Sequence, residues 1–160
     1  MSETTQSGKL KVEAHGEREI KTERIFEAPR EKVFKAMTDP DLIPQWWGPR
    51  GTTTRVEEMN VEPGGRWRFA MGDDATEAFS GTYRAIEAPE RIEQTFEWGG
   101  MPGYISVEVM ELSDLGDGRT RVSNTTTFHF TEERDGMIAS GMEGGMAETY
   151  DRLEELLAQL

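Results

Sequence analysis

Apolar positions along the chain fall into short alternating runs through the middle and a helical stripe at the end. From Glu17 to Glu27, Ile20, Thr22, Arg24 and Phe26 share one parity, which predicts a first strand with an imperfect apolar face. Ala28-Pro29-Arg30-Glu31 then opens a helix, with Pro29 suited to its first turn and Val33, Phe34 and Met37 at helical spacing. Thr38-Asp39-Pro40 ends it, and Asp39 can cap a second short helix that Pro44 breaks before Trp46-Trp47-Gly48-Pro49.

Six strand-like runs follow: Thr52 to Val61, Gly65 to Met71, Phe79 to Ile86, Arg91 to Trp98, Tyr104 to Leu112 and Thr120 to Phe130. The clearest is GRWRFAM, where Trp67, Phe69 and Met71 lie on one face and Arg66 and Arg68 on the other. Pro63-Gly64 suits the centre of a type II turn, and Leu115-Gly116-Asp117-Gly118 joins two long strands. After Thr131 a helix can run to the end, with Ile138, Met142, Gly145, Thr149, Leu153, Leu156 and Leu160 as its inward stripe.

This order predicts an α+β domain over residues 17–160, a curved antiparallel sheet of about seven strands wrapped around one long C-terminal helix. Two short helices follow the first strand, and residues 1–16, polar and aperiodic, read as a flexible tail. Gly141 and Gly145 are four apart, so in a continuous helix they share one face and allow close backbone approach. The other reading is that Gly144-Gly145 ends one helix and Ala147 starts the next. No phosphate loop is implied, since no strand leads into these glycines.

Composition narrows the partners. The 160 residues carry 31 acidic and 18 basic side chains, a net charge of −13, which argues against nucleic acid or an anionic membrane surface. There is no cysteine, hence no disulfide or thiolate metal site, and no apolar stretch resembles a signal sequence or membrane span. A cytoplasmic protein is expected, as monomer or homodimer.

Several residue groups in order resemble the helix-grip, START-related (SRPBCC) superfamily, and within it the homologues of the activator of the ninety-kilodalton heat-shock protein ATPase. They are Ala28-Pro29-x-x-x-Val33-Phe34, Asp39-Pro40 through Trp46-Trp47-Gly48-Pro49, Pro63-Gly64-Gly65-x-Trp67 and Gly81-x-Tyr83. Ala88-Pro89-Glu90-Arg91-Ile92 and Ser140-Gly141-Met142-x-x-Gly145-Met146 complete the set. The resemblance covers roughly residues 17–160 and implies a cavity between sheet and helix.

The side chains agree with a cavity. Trp67, Phe69, Met71, Phe79, Tyr83, Phe96, Trp98 and Phe128 can reach the concave side, with Met137, Met142 and Met146 from the helix. Rigid aromatics and adaptable methionines suit an apolar ligand, although the same residues could simply fill a core. Gln94 and Asn124 have strand parity compatible with the same face. Of Trp46 and Trp47, one is expected at the cavity mouth, taken as Trp46, and the other partly exposed.

Catalytic groups are scarce. No G-x-S-x-G elbow occurs, His15 lies in the tail, and His129 alone stands out as titrating near neutrality, facing out if Phe128 and Phe130 face the cavity. Glu57-Glu58 alternate across a strand, and Glu132, Glu133 and Asp135 read as a helix start rather than a calcium loop. No catalytic residue, metal or cofactor is therefore expected. The leading expectation is non-catalytic binding of an apolar or amphipathic small molecule. The alternatives are a regulatory, co-chaperone-like protein-binding domain, with a chaperone ATPase partner doubtful in a single-domain chain, and a cyclase- or aromatase-like enzyme.

Overall fold

The structure is a computed structural model and describes residues 8–160. Eight antiparallel strands form one curved sheet in the order β1-β2-β8-β7-β6-β5-β4-β3. In chain order these are β1 (Lys11–His15), β2 (Glu19–Phe26), β3 (Arg55–Met59), β4 (Arg66–Ala70), β5 (Ala78–Glu87), β6 (Arg91–Trp98), β7 (Ile105–Asp114) and β8 (Thr120–Thr127). Helix α1 (Arg30–Thr38) and a 3-10 turn (Ile43–Gln45) sit between β2 and β3, and α2 (Thr131–Ala139) and α3 (Met142–Leu157) close the chain. The expected α+β helix-grip architecture is present.

The strand count exceeds the expected seven because β1 falls inside the stretch read as a tail. Its backbone pairs with β2 from Lys11↔Glu23 to His15↔Glu19, while its side chains are half-buried or exposed. An edge strand held by backbone bonds needs no apolar face, so alternation could not show it. The nearly buried Arg134 of α2 secures the β1–β2 turn by donating to the carbonyls of His15, Gly16 and Glu19 at 2.9–3.3 Å. The part of the tail expectation covering residues 1–7 lies outside the described residues.

β2 keeps its predicted face: Ile20, Thr22, Arg24 and Phe26 are all buried. So do Trp67 and Phe69 on β4, with Arg66 and Arg68 exposed opposite them.

The long C-terminal helix is two helices. Ser140 caps α2, and Gly141 follows in the left-handed region at φ +85°, a conformation glycine adopts without the Cβ penalty. Neither glycine reading held: the break is at Gly141, not Gly144-Gly145, and no backbone presses on the helix. A Cβ built on Gly144 meets nothing within 4 Å, and one on Gly145 meets only Cγ of Pro49 at 3.9 Å. The inward stripe is correspondingly shorter, since Ile138 on α2 and Leu160 past α3 are exposed.

Helix α3 covers the concave face. Tyr150, Leu153, Leu156 and Leu157 join Phe26, Val33, Ile43 and Val122 in the core, and Tyr150 meets Phe26 edge-on at 5.3 Å. Polar ties lock the helix in place: Asp151 accepts from the buried Arg24 at 2.8 Å, and Arg152 donates to the Gly48 carbonyl at 2.8 Å. The Arg50 amide donates to Glu148 at 3.1 Å.

Candidate functional site

Between α3, the Trp46–Pro49 segment and strands β4 to β8 lies a pocket of about 380 Å³, within the size range of small-molecule sites. Its walls are aromatic and thioether side chains. Trp47 meets Phe69 and Phe79 edge-on at 5.1 and 5.2 Å, Trp67 meets Phe96 at 5.8 Å, and Met71, Met110, Met142 and Met146 fill the gaps. Gly145, with its open Cβ direction, keeps the α3 side of the rim low.

Both tryptophans of the pair line this pocket, Trp46 buried and Trp47 half-buried, so the second is partly exposed as expected while its ring still forms part of the wall. Trp46 leaves helical geometry at φ −142°, so the chain turns between the two rings. Trp46 is then anchored by its indole N–H, which donates to the Ala36 carbonyl at 2.9 Å.

Of the other predicted residues, Trp67, Phe69, Met71, Phe79, Gln94, Phe96, Asn124, Met142 and Met146 line the pocket, and four do not. Tyr83 shares a face with Phe79 but lies beyond Gly81, whose missing side chain leaves room for the Trp67 indole; Tyr83 is buried in the core instead. Trp98 ends β6 and is 41% exposed, its indole donating to the Thr76 carbonyl at 2.6 Å. Phe128 comes after β8 has ended and is buried outside the pocket lining. Met137 belongs to α2, on the far side of the helix break, and is exposed.

The floor is polar and comes from three neighbouring strands. Gln94 on β6 directly opposes Glu108 on β7, and Met110 on β7 directly opposes Asn124 on β8. Opposed residues of an antiparallel pair share a face, so Gln94, Glu108 and Asn124 converge. Gln94 Nε2 donates to Oε1 of Glu108 at 3.2 Å, and Asn124 is also hydrogen-bonded to that carboxyl.

Glu108 is the pocket residue that sequence reasoning missed. It keeps some accessible surface, through the pocket it lines, yet protein surrounds it. Burial pushes its carboxyl up to about 7, and the bonds from Gln94 and Asn124 offset that only in part. A group titrating near neutrality thus stands at the pocket, contrary to the expectation that His129, here exposed and outside the pocket lining, was the only candidate. Burial, reinforced by the Glu108 charge and opposed by Arg24, also raises the nearby Tyr150 hydroxyl.

Two buried polar atoms of the lining have no hydrogen-bond partner: Nε1 of Trp67 and Oδ1 of Asn124. The Trp67 nitrogen faces the sheet, since a Cβ on Gly81 would sit 2.6 Å from it. Among the described residues, no group of three or more His, Asp or Glu side chains could hold a metal ion.

A curved antiparallel sheet closed by a C-terminal helix around a pocket is the helix-grip architecture of START-related domains. A family model described as activator of Hsp90 ATPase homolog 1-like protein matches residues 27–158, and the chain belongs to that family. None of the curated proteins compared with the chain matches it. Among solved structures, a crystal structure of a protein from Rhodobacter sphaeroides is similar at TM-score 0.85 and 23% identity, covering 95% of this chain and 99% of that one. A solution structure of a protein from Staphylococcus epidermidis is similar at TM-score 0.79 and 28% identity, covering 91% and 93%. One from Arthrobacter aurescens reaches TM-score 0.80 at 24% identity, covering 94% and 92%. No helix of the described residues is long and apolar enough to cross a membrane.

Proposed function

We propose that the protein binds an apolar or amphipathic small molecule in the pocket between sheet and α3, without transforming it. The observation that carries this reading is the void itself. About 380 Å³ remains open among Trp47, Phe69, Phe79, Phe96, Met142 and Met146, side chains that would close it if they only built a core. Apolar walls with a few convergent polar groups are the usual make-up of a ligand site. Native mass spectrometry of protein purified without added ligand tests the reading. A retained small molecule, released on denaturation and absent from a variant with the pocket filled, is expected. Bare protein that also takes up no apolar compound on titration would contradict it.

Glu108 favours a second reading, a cyclase-like enzyme, because a carboxyl held near pH 7 can take and return a proton in mild conditions. The reading needs a partner group that Gln94 and Asn124, as neutral amides, do not supply. Turnover of a bound compound that Glu108→Gln abolishes without loss of binding would establish it.

A further inference from the structure

Glu108 faces the pocket without a counter-cation. Its partners are the neutral amides of Gln94 and Asn124, and it takes part in no ion pair among the described residues. The cation next to this region, Arg24 on β2, is committed elsewhere: it bonds Asp151 at 2.8 Å, lies 3.9 Å from Glu154, and covers the Phe26 ring at 5.0 Å. Tyr150 on α3 is the other titratable side chain lining the pocket. The Asn124 side chain, in a residue only 6% exposed, adds an acceptor oxygen with no donor. What the floor lacks is therefore a positively charged donor, and what the walls offer is aromatic surface, which also attracts a cation.

We propose that the pocket takes an alkyl or arylalkyl primary amine, its ammonium group seated between the Glu108 carboxylate and Oδ1 of Asn124 and its apolar body along Trp47, Phe69 and Phe79. This rests on the small-molecule reading above and names the ligand class for the same site. An ammonium can donate to both acceptors at once, and it gives the isolated carboxylate the partner that burial makes costly to lack. Because burial holds the carboxyl near pH 7 in the unliganded pocket, amine binding and carboxyl ionisation are linked. An amine of ordinary pKa, roughly 10, stays charged between pH 5.5 and 8.5, so affinity should rise across that window as Glu108 ionises.

Calorimetric titration with 3-phenylpropylamine, 3-phenylpropanol and butylbenzene at pH 5.5 and 8.5 tests this. At pH 8.5 the amine should bind about tenfold more tightly than either neutral probe, about 1.4 kcal/mol. That advantage should shrink toward nothing at pH 5.5 and in Glu108→Gln at both pH values, while butylbenzene binds all forms alike. If butylbenzene binds but the amine shows no advantage at pH 8.5, or keeps it in Glu108→Gln, the amine assignment is wrong and the apolar pocket stands. An alcohol as tight as the amine also overturns it. If no probe binds, both readings fail. Should Glu108→Gln not fold, the pH profile of the unaltered protein decides: a flat amine advantage overturns the proposal, and a rising one supports it.

Discussion

Gln94 and Glu108 face each other across β6 and β7, with Nε2 of the amide 3.2 Å from Oε1 of the carboxyl, at the floor of a pocket whose walls are aromatic. One neutral hydrogen bond from Gln94 and another from Asn124 do not compensate the desolvation of a carboxylate, so the proton is held until about pH 7. A position that costs the fold stability at neutral pH is where a ligand has most to supply.

That cost has a sign. The folded carboxyl at about 7 lies above its ordinary 4.5, so between those values the native state holds a proton that the unfolded chain has released. Stability contributed by Glu108 is present below about pH 4.5 and falls away as pH rises to about 7, after which it stays lost. Urea unfolding should therefore find Glu108→Gln more stable than the unaltered protein at pH 8, by on the order of 1–3 kcal/mol, with the gap closing toward pH 5. A gap of the same size at both pH values would show that burial does not set this carboxyl's titration.

Arg24 presents the opposite case, a buried charge that is paired. Its side chain is 3% exposed, while those of Asp151 and Glu154 are 49% and 26% exposed. Removing both acidic partners strands the guanidinium, and the Asp151→Ala, Glu154→Ala double variant should lose about 3 kcal/mol or more. Arg24→Met, which leaves the acids able to reach water, should cost about 1 kcal/mol or less. Equal losses in denaturant titrations would remove the pairing as a stabilising feature of the α3 dock.

The glycines near the helix break should separate in the same kind of measurement. Gly141→Ala places a Cβ at φ +85° and should cost about 1–2 kcal/mol. Gly144→Ala adds a good helix former in open space within α3 and should stabilise by about 0.4–1 kcal/mol. Opposite shifts in Tm are expected, and a destabilised Gly144→Ala would mean that something does approach the helix there.

What the sequence disclosed, and what it concealed, follows from which faces carry apolar side chains. Trp67, Phe69, Phe79 and Phe96 were readable because each sits in a strand whose inner parity is aromatic. β7 misleads: in SVEVMEL the two valines, Val107 and Val109, lie outward, and the inner parity is Ser106, Glu108, Met110 and Leu112. Only the register, which sets Glu108 against Gln94 and Met110 against Asn124, shows which side that carboxyl takes. β1 was hidden because backbone pairing rather than burial holds it. The break at Gly141 carried a legible signal, a serine then a glycine after a helical run. The good helix formers on both sides outweighed it.

The central claim is that the space beneath α3 is a ligand site and not a loosely filled core. Gly145→Phe probes it most directly. The side chain starts from a Cβ direction with a single neighbour, Cγ of Pro49 at 3.9 Å, on a residue that lines the pocket, so the ring is expected to enter the rim at little cost to the backbone. Titrating an apolar fluorescent dye into both proteins, with Tm recorded alongside, should show binding to the unaltered protein that Gly145→Phe weakens at least tenfold at nearly unchanged Tm. Dye binding left intact by the phenylalanine, or absent from both proteins, would contradict the account.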